Sequence, residues 1–193
     1  IWIEWHKNGQ KDVEMTYKNG NLDGLKTKWY YNGKKETEGN YQDGKKDGTW
    51  TAWYNNGQKS IQGIFKHGEK DGIWIEWHKN GQKDVEMTYK HGNLDGLKIK
   101  WYNTGNKESE GNFKLGEKDG LRIKWFDNGN KESEITYKDG KKDGIWTVWY
   151  DNGQKNFERS FNVGEKNGLW IEWTKDGKKK SKQKWKNGKK KWW

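Results

Sequence analysis

The sequence predicts an all-β protein: an elongated repeat ribbon of eight consecutive 24-residue antiparallel β-hairpins, an open, solenoid-like meander, twisted or trough-shaped. Three observations predict it. Glycine recurs every 24 residues in three series, one opening Gly9, Gly33, Gly57, a second Gly20, Gly44, Gly68, and a third Gly24, Gly48, Gly72. Between the glycines, apolar and polar residues alternate with period two, the signature of a half-covered strand. Aromatic residues hold fixed columns, the firmest being Trp5, Trp29, Trp53, Trp77, Trp101, Trp125, Trp149 and Trp173. The repeats 1–24, 25–48, 49–72, 73–96, 97–120, 121–144, 145–168 and 169–192 account for all but one of the 193 positions. They read as one repeat domain, since no Gly-, Ser- or Pro-rich linker interrupts them.

Residues Ile73 to Gly96 show the unit. The first strand sets Ile73, Ile75 and Trp77 on one side and Trp74, Glu76 and His78 on the other. Asn80-Gly81 then reads as a hairpin turn in which both residues tolerate positive φ. The second strand sets Val85, Met87 and Tyr89 against Asp84, Glu86 and Thr88, and Lys90 to Gly96 reads as the return turn. A helix is excluded, because the glycines would break it every few residues. The Trp77 column is taken as the inward one, and stacked columns give each hairpin the apolar neighbour it lacks alone. Sixteen strands at about 4.8 Å spacing would reach roughly 75 Å before twist, and the uncovered face suits a trough or a face-to-face homodimer.

Polar columns are equally regular. Lys11, Lys35, Lys59, Lys83, Lys107, Lys131, Lys155 and Lys179 follow the Asn-Gly turns, and Glu14, Glu38, Glu86, Glu110, Glu134 and Glu158 lie beyond them. These read as cross-strand pairs, each worth about 0.2–1 kcal/mol. Repeats 1 and 4 differ only at Asn19 and His91, which suggests duplication of a 72-residue block.

Composition sets further bounds. A hydrophobic fraction of 28% is low enough to raise disorder, but 16 Trp, 9 Tyr and 5 Phe supply the apolar area of a thin structure. No run is long enough to span a bilayer and no signal peptide is present. The chain opens on Ile1 rather than Met, as expected if a leader or longer parent has been trimmed, and cytoplasm and cell surface both stay open. Without Cys there are no disulfides or thiolate metal sites. The four His do not cluster at metal-ligand spacing, no nucleophilic set accompanies them, and the glycines match no phosphate-binding loop. No enzyme activity, cofactor or metal is expected.

The net charge of +11 is concentrated at one end: residues 169–193 hold ten Lys against Glu172 and Asp176. This distribution argues against a nucleic-acid binder. Lys178, Lys179, Lys180, Lys182, Lys184, Lys189, Lys190 and Lys191 form a basic tip, read first as a solenoid cap and second as a dock for an anionic surface.

A second aromatic column lies opposite the Trp77 column by alternation: Trp2, Trp50, Trp74, Trp146 and Trp170, with Lys26, Lys98 and Arg122 in the remaining repeats. Beside it run His6, Tyr30, Tyr54, His78, Tyr102, Phe126 and Tyr150. Aromatic and Arg-type anchors suit a binding surface, although the same residues can cover the second face of a curved sheet.

The pattern Gly-x-Trp-x-x-Trp-Tyr-x-Asn-Gly-x-Lys, then x-x-Tyr-x-x-Gly-x-x-Asp-Gly, resembles the variant MORN repeat of bacterial YwqK-type antitoxin-like proteins. Trp53-Tyr54-Asn55-Asn56-Gly57-Gln58-Lys59 with Gly68 and Asp71-Gly72 carries it, as does Trp149-Tyr150-Asp151-Asn152-Gly153-Gln154-Lys155 with Gly164. The resemblance covers essentially the whole chain and implies ribbons of successive hairpins. It also implies protein–protein contacts, dimerisation, contact with acidic phospholipids, and in some bacterial members a role as immunity protein. The expected function is therefore a non-enzymatic scaffold for a protein partner, as antitoxin or immunity protein. The alternatives are a stacking module of a larger surface or filamentous protein, and binding of acidic phospholipid or cell-wall glycan.

Overall fold

The computed structural model describes residues 1–192 and divides after Asn93 into two compact units. The first unit holds β1 (Trp2–Trp5), β2 (Lys11–Lys18), β3 (Asn21–Trp29), β4 (Lys35–Gln42), β5 (Lys45–Trp53), β6 (Lys59–Lys66), β7 (Glu69–Trp77) and β8 (Lys83–Lys90). Each pairs antiparallel with the next. The second holds β9 (Asn93–Trp101), β10 (Lys107–Lys114), β11 (Glu117–Trp125), β12 (Lys131–Lys138), β13 (Lys141–Trp149), β14 (Lys155–Asn162), β15 (Glu165–Trp173), β16 (Lys179–Lys186) and β17 (Lys189–Lys191), paired in the same way. The all-β repeat of antiparallel hairpins is thus present, and in neither unit do the pairings close the sheet into a barrel. The last repeat differs from expectation in one respect: Lys189–Lys191 is a short strand against Lys184–Lys186.

Two kinds of turn alternate. In the first, Gly9 N–H donates to the His6 carbonyl at 2.9 Å and His6 N–H to the Gln10 carbonyl at 2.8 Å. Only Gly9 is left-handed there, at φ +84°, so this is a three-residue loop closed by a glycine bulge rather than a turn with two positive φ values. The Asn8 carboxamide oxygen instead accepts from Gln10 N–H, and its nitrogen donates to the Tyr31 carbonyl of the next repeat at 2.7 Å. The second kind has two positive φ values, as at Asn19 (φ 50°) and Gly20 (φ 82°), and joins its strands with two residues. The expected seven-residue return turn is therefore two residues long. His91-Gly92 makes the turn, and Asn93 to Gly96 already belong to β9.

The Asp-Gly pair once assigned to that turn lies inside the strand and acts at a distance. Asp143 accepts from Val163 N–H at 3.0 Å, and Asp47 from His67 N–H at 3.2 Å, each bracing the first residue of the following two-residue turn. On its earlier side the strand is bulged. Between Gly39↔Trp50 and Asn40↔Asp47, residues 48 and 49 have no partner on β4, whereas on β6 they face Phe65 and Ile64 in register.

Both faces carry aromatics, and the more covered face in the first unit is not the Trp77 one. Val13, Met15, Trp74, Val85 and Met87 are buried, Trp74 to 5% exposure, and they share a face with Trp50 and Phe65. Rings run along it edge to face, from Tyr41 to Trp50, Phe65, Trp74 and Tyr89, with centroids 4.9–6.1 Å apart. Two glycines admit these rings. A Cβ on Gly63 would lie 2.1 Å from Trp74, and one on Gly39 2.3 Å from Trp50. The indole lies over bare backbone and donates from Nε1 to the next carbonyl, Trp74 to Ile64 and Trp50 to Asn40, both at 3.0 Å.

Candidate binding surfaces

On the Trp77 face, five of the lysines that follow these loops each do two things. Lys155 Nζ pairs with Glu158 at 2.6 Å and stands 5.7 Å from the centre of the Trp173 ring. Lys131, with Glu134 and Trp149, and Lys107, with Glu110 and Trp125, repeat this in the second unit. In the first unit Lys11 and Lys35 do the same with Glu14 and Trp29, and Glu38 and Trp53. Where Glu is replaced, the ladder adapts: Gln62 accepts from Lys59 and donates to Thr51 Oγ1. The Lys and Glu columns are therefore joined, but three residues apart within one strand rather than across strands as expected, with Trp as a third member. Beside them each unit leaves aliphatics half exposed, Leu25 at 47% and Ile73 at 54% in the first and Ile145 at 56% in the second.

The second Trp column does not form one uniform surface. Trp2 on edge strand β1 is 58% exposed, Trp74 is buried, and Trp50, Trp146 and Trp170 fall between. Trp146 packs edge-on to Phe157 at 4.8 Å, and Trp170 tilts against Phe161 and Trp185. Arg122 lies over Gly111, its Cγ 3.1 Å from where a Cβ would stand. The signal that this is a packed face was in the sequence, eleven residues away: Gly39 with Trp50, Gly63 with Trp74 and Gly111 with Arg122 pair a missing side chain with a large one.

The flanking column ties repeats together. Tyr30, Tyr54, Tyr102 and Tyr150 donate their hydroxyls to the carbonyls of Trp53, Trp77, Trp125 and Trp173, at 2.6–3.0 Å. His6 does so through Nε2 to the Trp29 carbonyl at 2.9 Å, with Asp12 3.6 Å away. His78 stands 3.6 Å from Asp84, and Phe126 holds the same place without a hydroxyl. Burial raises Tyr30 and Tyr102 above the usual phenol value, with nearby carboxylates adding to it.

The basic-tip lysines are all exposed, on or beside β16 and β17. Lys178 pairs with Asp176 at 3.0 Å, and Lys190 stands 5.2 Å from the Trp192 ring centre. A different set of cations was not singled out from sequence: Lys46 and Lys70 in the first unit, and Lys118, Lys142 and Lys166 in the second. Lys46 lies 4.2 Å from the Trp50 ring centre and Lys70 4.3 Å from that of Trp74. With Trp50, Ile61, Phe65 and Trp74 these two border a shallow depression of about 200 Å³. Burial, reinforced by Lys26 and Lys70, holds Lys46 below the usual lysine value. Among the described residues no group of three or more His, Cys, Asp or Glu is placed to hold a metal, and no helix is long and apolar enough to cross a membrane.

No curated protein matches the chain. The family model for the MORN repeat variant matches residues 1–19, 22–43, 46–67, 70–91, 94–115, 118–139 and 142–162. From the second match on, each opens within a long strand, crosses the Asn-Gly loop and closes near the end of the next strand or on the first residue of the two-residue turn, as β3 and β4 do in 22–43. The Lys-rich last repeat lies beyond the final match. With seven matched segments over most of its length, the chain belongs to the MORN repeat variant family.

Proposed function

We propose that this protein is a non-enzymatic repeat scaffold that binds a protein partner along the Trp77 face. The observation that carries the reading is the half-exposed aliphatic row. Each residue stands opposite a polar one across the strand pair: Leu25 against Asn40, Ile73 against Thr88, Leu121 against Thr136, Ile145 against Ser160. In the third repeat the two exchange strands, Thr49 against Ile64, and the row still keeps its aliphatic member. Repeated apolar exposure beside a neutralised Lys–Glu ladder suits a partner that displaces water without facing a strong field. Within this reading, the resemblance to antitoxin-like proteins makes a toxin the first partner to seek.

The test compares wild type with Leu121→Lys/Ile145→Lys, both sites being about half exposed so that folding is retained. Affinity capture from the source cell with quantitative mass spectrometry, together with light scattering, is the readout. A protein enriched by wild type and lost from the variant supports the reading. Equal capture by both overturns it. Self-association lost in the variant favours the stacking module. Salt-sensitive binding to acidic vesicles, abolished by neutralising residues 175–191, favours the phospholipid reading.

A further inference from the structure

Charge is divided between the two faces of the second unit in a way that net charge conceals. On the Trp77 face, Lys107, Lys131 and Lys155 each have a carboxylate within 2.9 Å. On the opposite face Lys118, Lys142 and Lys166, at equivalent positions of β11, β13 and β15, have none within ion-pair distance among the described residues. They meet rings instead. Lys118 Nζ lies 5.0 Å from the Tyr137 centroid, Lys142 3.1 Å from that of Trp146, and Lys166 4.6 Å and 4.2 Å from those of Trp170 and Trp185. All three are half-buried. Arg122 and Arg159 crowd them further: burial first, then these guanidiniums, hold Lys118 and Lys142 below the usual lysine value. Glu172 offsets Arg159 alone, through Nη2 at 2.6 Å, while its buried Nε has no partner. This face therefore carries a cationic row that the protein itself leaves uncompensated.

The row has a spacing that selects among anions. Successive members sit on alternate strands, about 9.6 Å apart at twice the usual strand separation. A polyproline-II segment advances about 9.3 Å in three residues and presents every third side chain on one side. Every third phosphate of a duplex strand lies about 10.2 Å on, but at about 10–10.5 base pairs per turn it has swung nearly a third of the way round the axis and leaves the sheet. Ring faces between the lysines are the usual platform for such an extended segment.

We propose that the Lys118–Lys142–Lys166 row docks an extended acidic segment of a protein partner, running across β11, β13 and β15 with Asp or Glu at every third position. Its carboxylates meet the three ammoniums in turn, and the intervening residues lie on Trp146, Phe161 and Trp170. The site lies on the opposite face from the aliphatic row and stands or falls independently of it.

The experiment measures fluorescence anisotropy with peptides of about twelve residues repeating Glu-Pro-Pro, against peptides of equal charge with Glu at every second or every fourth position. The expected result is about tenfold tighter binding of the three-residue spacing and a comparable loss in Lys118→Gln/Lys142→Gln/Lys166→Gln. The matching triple Arg variant retains binding, separating loss of charge from loss of fold. Affinity independent of spacing overturns the proposal, as does binding indifferent to the Gln variant. Tighter binding of an oligonucleotide or a phosphatidylserine vesicle through the same three lysines also overturns it, in favour of that other anion.

Discussion

Gly63→Ala is expected to be the most damaging small substitution in the first unit. The new methyl would stand 2.1 Å from Trp74 Cδ2 and 2.3 Å from Cε2, and neither the ring nor the strand beneath it is a loose end. Reaching ordinary carbon contact at about 3.5 Å requires the indole to move by more than an ångström. Overpacking of this kind costs about 1–3 kcal/mol. Losing the Nε1 bond to the Ile64 carbonyl adds about 0.5–1.5 kcal/mol. Replacing glycine within a strand returns about 0.5–1 kcal/mol, so the net loss is about 0.5–4 kcal/mol. Gly111→Ala is the control, because its methyl meets Arg122 Cγ at 3.1 Å and Cβ at 3.2 Å, contacts that a shift of a few tenths of an ångström relieves; it should cost less than about 0.5 kcal/mol. Urea denaturation gives the energies, and near-ultraviolet circular dichroism reports the asymmetry of the Trp74 ring. Gly63→Met combined with Trp74→Lys imports the pairing of Met15 with Lys26 and should recover part of the loss. Equal costs at the two glycines, or an unchanged aromatic spectrum in Gly63→Ala, would refute the argument that bare backbone seats the ring.

Val163→Asn should stabilise by about 1–2 kcal/mol, since an exposed β-branched residue at φ 42° gives way to one that tolerates the left-handed region; thermal unfolding should rise by about 2–4 °C per kcal/mol. Leu115→Asn, at φ 50°, should follow it. Phe126→Tyr gives the missing hydroxyl a route to the Trp149 carbonyl and should gain about 0.5–1.5 kcal/mol in urea, with Tyr150→Phe losing as much. Lys142→Met should stabilise the protein, most clearly at neutral pH. The folded lysine is held below its usual 10.5, so its charge opposes folding at pH 7. The advantage of the variant should shrink as pH rises through that lowered pKa toward 10.5, and an advantage constant with pH would count against the assignment.

The fold was legible because period is a strong signal. Twenty-four residues, alternation and Asn-Gly loops placed nearly every strand, and the Lys–Glu columns proved to be neighbours. What alternation does not encode is which side is deeper. Trp74 and Trp77 are chemically alike, and choosing between them needed the absent side chain at Gly63, eleven residues upstream. The Asp-Gly pair was misplaced for a related reason: Asp71-Gly72 has turn chemistry but serves a bulge within β7, where residues 72 and 73 have no partner on β6. The roles of Tyr30 and Tyr150 were hidden because the hydroxyl's acceptor is a backbone carbonyl, which leaves no mark in the sequence. Lys142 was obscured by abundance, since only its missing carboxylate distinguishes it from Lys131.

The ties between neighbouring hairpins reach only a short way along the chain: Tyr30 to Trp53 and Tyr150 to Trp173 each span 23 residues, and Asp143 to Val163 spans 20. A ribosome adds about 5–20 residues each second. The tyrosine of one repeat therefore waits on the order of a few seconds for its acceptor to be made. Nothing in these ties requires the far end of the polypeptide, so native structure can be laid down during synthesis in the order the message is read. A nascent chain arrested partway should already hold its earlier repeats in final form, resistant to protease up to the last completed tie.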